Sequence, residues 1–490
     1  MTRSPVQFLF VLLALLALSG PAAAQTLSLE ECRISAGPGH PGIKARCGTM
    51  LRPENPADPD SAESEVRVAV VAALNLTPET DAIVTIAGGP AQGSIEFYSS
   101  VSSAFEKLRR NRDILLVDQR GTGESSRMDC LIEDDAILFE DQYSLEDTVE
   151  FIGECLEELP HDPRYFTTSV AVTDLEAARE ALGYTSLNLY GVSYGSRVAQ
   201  HFARRYPEST RTVVIDGVVP PQISLGPEIA TESQRAVDTI LARCAADTAC
   251  NESFPDIEGT FARVVAELRE SPVQVLVPHP NTGRIEEVAF GSGQLAGAIR
   301  LLAYNPNTIA LLPLMIHEAG EGNFVPLTSQ FMLIAVAMSD SLALGMHNSV
   351  MCTEDIPYFD RANIDHEAIE ASYMGSFQLE TLNAICASWP AGPIDTDFKE
   401  PLATDIPFLL LSGDADPITP PRYAELAAVD LRNATHLIGK HQGHGQLVVG
   451  CMDRLVAEFV ASADPASIDA TCMERSFVMP FFVGFSGPSP

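Results

Sequence analysis

Gly191-Val192-Ser193-Tyr194-Gly195 sets a serine between two glycines in a G-x-S-x-G spacing. A serine hydroxyl is too weak an acid to attack a carbonyl unaided, so the spacing carries chemistry only with a base and an orienting acid. Both residue types occur close together late in the chain. Asp414 and Asp416 stand in Ser412-Gly413-Asp414-Ala415-Asp416-Pro417, and two histidines stand in His441-Gln442-Gly443-His444-Gly445. The order serine, acid, histidine suits acyl transfer, with the imidazole taking a proton from the nucleophile and returning it to the leaving group. His444, between two glycines, is the expected base. His441 is its competitor, and His436 begins an apolar run where a core or surface role is expected. Upstream, Gly88-Gly89-Pro90 offers backbone N–H groups to a developing oxyanion, so Gly89 (or Gly88) and Tyr194 are the expected donors. Gly121-Thr122-Gly123 lacks the third glycine of a dinucleotide loop, and no H-E-x-x-H-like cluster occurs. The expected chemistry therefore uses no metal and no organic cofactor.

Such residues work only at the ends of rigid elements. Short apolar runs bounded by turn residues at 66–74, 83–87 and 114–117 read as strands, the second leading into Gly88. A run at 187–190 leads into the Ser193 motif, where glycines permit a sharp turn, and a helix is expected from there to about Tyr206. Another helix is expected at 103–110, and apolar residues at 173–182 recur at helical spacing before Gly183. Further strand patterns at 213–215, 407–411 and 435–438, then an amphipathic helix at 447–461, complete the alternation. That rhythm predicts a mainly parallel sheet with helices on both faces.

Two stretches break it. The segment up to about Ala62, rich in Pro, Gly and Asp, is expected to be irregular. After Pro220-Pro221 the pattern turns mostly helical, which predicts a cap over the strand C-terminal ends, where open parallel sheets bind ligands. The expected organisation is a signal peptide at 1–24, a first core part at 25–221, a helical cap at 222–400 and a second core part at 401–490.

The signal peptide reading rests on Arg3, an unbroken apolar run at 8–18, and Ala22-Ala23-Ala24 before Gln25. The run is shorter than the roughly 20 residues of a membrane span, so no stable membrane insertion is expected after removal of the peptide. An exported protein, periplasmic or secreted, follows. Ten cysteines in an even count without a Cys-x-x-Cys pair argue for disulfides in that compartment. Pairing of sequence neighbours is the simplest arrangement: Cys32 with Cys47, Cys130 with Cys155, Cys244 with Cys250, Cys352 with Cys386, and Cys451 with Cys472. A net charge of −35 repels phosphate backbones and excludes nucleic acid as a partner.

Five stretches together resemble the proline iminopeptidase and tripeptidyl aminopeptidase family of serine exopeptidases, within the α/β hydrolases. They are Gly88-Gly89-Pro90, Asp118-Gln119-Arg120-Gly121-Thr122-Gly123-Glu124-Ser125, the Ser193 motif, the segment 413–420, and Gly443-His444-Gly445 with Cys451 beyond. The resemblance implies an α/β-hydrolase fold with an inserted, mostly helical cap. It places the acid immediately before proline, favouring Asp416 over Asp414. It also implies an aminopeptidase releasing residues or short peptides from peptide N-termini, with acidic residues near the cap holding the substrate ammonium. Glu354 and Asp355, in Val350-Met351-Cys352-Thr353-Glu354-Asp355, are the expected holders, with Glu228 and Glu232 as weaker ones. Ala87 and Ala91 stand where the family often has His and Gly, which leaves the exact oxyanion donor open. The same triad cleaves esters, so a carboxylesterase or other acyl hydrolase acting on a small ester or amide is the alternative. A catalytically inactive binding protein on the same fold is a more remote one.

Overall fold

Runs of Val, Ile and Leu buried at every position form the centre of a nine-stranded sheet. They are β4 (Ala82–Ile86), β5 (Ile114–Val117), β6 (Leu187–Val192) and β10 (Phe408–Gly413). This computed structural model describes residues 27–37, 40–130, 144–475 and 478–488, so the expected signal peptide lies outside the described residues. With β7 (Thr210–Asp216) and β11 (Ala434–Gly439), the strands from β5 across to β11 are all parallel, in the order β5-β4-β6-β7-β10-β11. Burial on both faces is what selects continuous apolar runs over an alternating pattern.

The edge beyond β5 is antiparallel: β1 (Glu30–Ile34), β2 (Ile43–Pro53) and β3 (Glu63–Val71) pair in sequence, and β3 pairs with β5. Two of these strands occupy the segment expected to be irregular. In β2, Ala45 and Cys47 pack into one core cluster and Met50, of opposite parity, into another, while Lys44, Arg46 and Leu51 are exposed. Clean alternation holds only over 44–47 and sits between Pro- and Gly-rich flanks, which hid it. The helix expected at 103–110 is instead a pair of short 3-10 turns, Ser102–Phe105 and Leu108–Arg110, and the last helix starts later than expected. The first helix is Ser94–Val101 followed by 3-10 turns, and the last is Met452–Ser462.

The insert between β7 and β10 is mostly helical, with one antiparallel hairpin of β8 (Val273–Pro278) and β9 (Ile285–Phe290). It buries a cluster of its own that includes Val237, Phe261, Phe290, Leu295 and Met332. The C-terminal tail crosses to it: the Phe482 N–H donates to the Ala310 carbonyl at 3.0 Å, and the Arg243 guanidinium lies 4.5 Å from the Phe481 ring centroid. All ten cysteines are paired, in the five neighbour pairs expected from the sequence. Among the described residues no helix is long and apolar enough to cross a membrane.

The Asp118 to Ser125 stretch is a brace behind the site. The fully buried Arg120 grips Asp174 with Nε to Oδ2 at 2.7 Å and Nη2 to Oδ1 at 2.9 Å, and donates to the carbonyls of Glu54 and Tyr165. Asp118 accepts from the Ile95 N–H at the start of helix Ser94–Val101 and from the Glu124 N–H. A Cβ on Gly123 would stand 2.2 Å from Asp118 Oδ2, so only glycine fits that turn. Removing one partner of a buried ion pair costs about 3–5 kcal/mol. Arg120→Met is therefore expected to lower unfolding stability on that scale, read from the denaturant midpoint, and Arg120→Lys to recover only part of it.

Candidate active site

β6 delivers its last residue, Val192, directly to Ser193, and helix Tyr194–Arg205 starts at the next position. Ser193 itself has φ 56° and ψ −128°, a conformation a side-chain-bearing residue holds only where its surroundings enforce it. They do so by close approach. A Cβ on Gly191 would lie 2.2 Å from the Gly195 carbonyl oxygen, and one on Gly195 would lie 2.3 Å from that of Ile86. The Ser193 N–H is spent on the Asp216 carbonyl at 2.8 Å. The Ser193 side chain is half-buried and lines a cavity of about 680 Å³.

β10 and β11 are adjacent, so the loops after them meet. There Asp416, fully buried, accepts at Oδ1 from the N–H groups of Ile418 and Thr419 and at Oδ2 from the Thr419 hydroxyl. His444 Nδ1 lies 2.8 Å from Asp416 Oδ2 and 3.0 Å from Thr419 Oγ1. Asp414 does something else: its Oδ1 accepts the His441 backbone N–H at 2.6 Å. The geometry thus pairs His444 with Asp416, and it leaves His441 and Asp414 to shape the loop. His436 hydrogen-bonds Ser412 along the strand pair.

Burial by itself would lower the His444 pKa, but the Asp416 carboxylate, through charge and hydrogen bond, outweighs it and holds the imidazole above its ordinary value. Asp416 is held below the usual carboxylate range: burial raises it, and His444 with the two backbone N–H groups more than offsets that. Asp216, at the end of β7, contributes from behind. Its carboxylate accepts from Tyr190 Oη and from the backbone of Gln446 and Leu447, fixing the loop that carries His444. Gly217 has φ 59°, and a Cβ there would stand 2.7 Å from His444 Cε1.

β4 lies beside β6, so the Gly88-Gly89-Pro90 loop borders the serine turn. A Cβ on Gly88 would be 2.9 Å from Ser193 Cβ, Gly89 has φ 108°, and the Gly89–Pro90 peptide is cis. Tyr194 opens helix Tyr194–Arg205, where the first N–H groups have no intrahelical partner. Its ring is buried, with Oη 2.5 Å from Thr168 Oγ1 and accepting from Gln119 Nε2 at 3.0 Å.

The insert closes the cavity from above. Tyr304 packs edge-on against the His444 ring, with centroids 4.8 Å apart, and its carbonyl accepts the His444 N–H at 2.8 Å. Leu333, Met338, Leu342, Met351 and Leu382 supply apolar wall, with Arg300, Gln378 and His347 among the polar groups. Thr419, Tyr304, Gly217, Asp216 and Arg300 were not singled out by the sequence, which has no local signal for contacts across such distances.

Glu354 and Asp355, expected to hold a substrate ammonium, are instead fully buried behind this wall and do not line the cavity. Both Asp355 oxygens meet Arg197 at 2.9 Å, and one also accepts from the Leu225 N–H. Glu354 accepts the Thr168 N–H at 2.7 Å and its hydroxyl at 2.9 Å. Desolvation pushes the Glu354 pKa up to about 7, and depresses that of the neighbouring Lys399 to about 8. Glu228 and Glu232 are taken by Arg422, with Arg235 also on Glu232, and do not line the cavity either.

The description alpha/beta hydrolase fold matches residues 81–251, and the description TAP-like protein matches residues 371–472. The chain has the α/β-hydrolase fold. This hydrolase is similar, at 26% identity over 458 residues, to the serine protease Hip1 of Mycobacterium tuberculosis, with 84% of this chain and 83% of that protein covered. It is also 25% identical over 193 residues to a tripeptidyl aminopeptidase of Streptomyces coelicolor, covering 36% of this chain and 35% of the other. Among solved structures, a proline iminopeptidase of Mycobacterium smegmatis aligns at a TM-score of 0.39 and 14% identity, covering 86% of this chain and 99% of that one. The strand order and the site geometry, rather than that superposition, carry the fold assignment.

Three outcomes follow for this hydrolase. Gly217→Ala drives a methyl group into the imidazole and is expected to lower kcat/KM about 100-fold, the scale of an ångström misplacement, while the folded protein keeps its circular dichroism spectrum. With His444 taken as the base, the acid limb of the kcat/KM profile is expected above the ordinary imidazole value of about 6.5, and Asp416→Asn should move it down. Glu354 has a folded-state pKa above its unfolded one. Its contribution to stability is complete below the ordinary carboxyl range and is lost as pH rises to about 7. Thermal melts across that window should show wild type losing stability that Glu354→Gln does not lose.

Proposed function

We propose that this protein is an exported serine peptidase acting through an acyl-enzyme on Ser193. The observation that carries the reading is the sharing of one cavity by the strained Ser193 and by a His444 anchored 2.8 Å from Asp416. Ser193 Oγ attacks the scissile carbonyl as His444 Nε2 takes its proton. Asp416 fixes the imidazole tautomer and stabilises the imidazolium. The N–H groups of Gly89 and Tyr194 hold the oxyanion, the C–N bond breaks, and His444 returns the proton to the leaving amine. Water then repeats the sequence on the acyl-enzyme and frees the acid. Similarity to proteins named serine protease and tripeptidyl aminopeptidase supports a peptide substrate. Five disulfides support an oxidising compartment outside the cytoplasm.

The finer reading is release of residues or short peptides from peptide N-termini. It requires an acceptor for the ammonium, and Glu96, whose Oε1 accepts from Ser341 on the cavity wall at 2.5 Å, places a carboxylate one hydrogen bond behind that wall. A second reading, acyl hydrolase or esterase, is favoured by one observation: no Asp or Glu lines the cavity among the described residues. Rates on free-amine peptide arylamides, their N-acylated counterparts and short acyl esters separate the readings. An aminopeptidase cleaves the free amines fastest. Faster turnover of N-acylated peptides leaves an endopeptidase or amidase, and turnover of esters alone leaves an esterase. Ser193→Ala is expected to abolish whichever activity is found, by about 10⁶-fold in kcat, with an organophosphonate labelling Ser193 in the unmodified protein.

A further inference from the structure

We propose that Arg300 recognises a carboxylate on the substrate. Arg300 lies in the last turn of helix Ser292–Leu302 and lines the cavity with Ser193 and His444. No other Arg, Lys, Asp or Glu lines it among the described residues. Among the described residues its Nε is buried without a hydrogen-bond partner, and its Nη1 donates only to the neutral Gln378 Oε1, at 3.3 Å. The chain has 66 acidic and 31 basic residues other than histidine. Elsewhere this surplus supplies partners: Arg120, Arg197, Arg235 and Arg422 each hold a carboxylate. Arg300 holds none among the described residues. A partly desolvated guanidinium without a counter-ion is costly, and its planar fork matches a carboxylate with two parallel hydrogen bonds. Tyr304, one turn further along the chain, packs on His444, so the cation and the base are tied to one short segment. A carboxylate drawn to Arg300 therefore enters the cavity in which the acyl group is transferred.

The inference deepens the peptidase reading and takes the substrate backbone from it. The carboxylate has two sources there: an acidic side chain, or the free C-terminus of a short peptide. The test uses the full mature protein and substrate pairs that differ only in charge. One arm compares peptide arylamides with Glu or Gln beside the scissile bond. A second compares short peptides ending in a free carboxylate or in an amide. A third compares aryl monoesters of glutarate with their methyl-capped diesters. In at least one arm the charged member is expected to lead by about 10- to 100-fold in kcat/KM, mainly through KM, and that arm names the source. Arg300→Gln should bring the ratio to about one. The ratio is internal to each variant, so a general loss of activity does not imitate this result. Should Arg300→Gln not fold, Arg300→Lys, which keeps the charge and loses the fork, should narrow the ratio without erasing it. Equal treatment of charged and neutral partners by the wild type in all three arms, or a full ratio surviving in either variant, overturns the proposal. Failure to cleave any amide sinks the peptidase reading alone, because the ester arm still reads Arg300.

Discussion

Ser193 can hold φ 56° only because three glycines around it have no side chain to collide with. Gly191 and Gly195 let strand and helix meet at an acute turn, and Gly88 lets the neighbouring loop come within contact of the serine. Strain of this kind costs about 1–3 kcal/mol and persists only when packing over-determines it. Here the over-determination is the parallel sheet, in which β4 and β6 run side by side with every residue buried. The Gly88-Gly89-Pro90 loop, Ser193 and the loop bearing His444 inherit their positions from that sheet. Their mutual geometry is thus a consequence of strand order.

The far side of the same turn is held by charge. Helix Tyr194–Arg205 sends Arg197 inward to Asp355 and Tyr194 to Thr168, which is also bound by Glu354. Both acids come from the π-turn Met351–Asp355 of the insert. The segment that roofs the cavity and the helix that presents the serine are therefore fastened to one buried network. Two adjacent carboxylates do different work in it: Asp355 is held in its charged form by Arg197 and Lys399, while burial favours the protonated form of Glu354.

Much of the centre was legible in the sequence, because buried parallel strands leave continuous apolar runs and the sharp strand-to-helix turn at Ser193 needs its glycines. Ser193 and His444 could be placed on such signals, but the residues alone left Asp414 and Asp416 open, and only the family resemblance favoured the second. β1 and β2 were missed because β1 is short and mostly exposed, β2 alternates cleanly only over 44–47, and Pro and Gly at their flanks obscure even that. Glu354 and Asp355 misled for a different reason. An acidic pair beside a cysteine reads identically whether it faces a ligand or an arginine on another helix, and burial is a property of the tertiary structure. Arg300 was invisible on the same ground, since what marks it is the company it lacks.

The cross-links span separations of only 6 to 34 residues, and none joins the insert to the sheet. Cys244–Cys250 and Cys352–Cys386 lie wholly within the insert, and the other three lie wholly outside it. Oxidation hardens each part separately and leaves the seam between them to polar and apolar contacts alone. A roof attached in this way is an exchangeable module: it can be reshaped, or swapped for one with a different lining, without breaking or re-pairing a single covalent staple of the machinery beneath it.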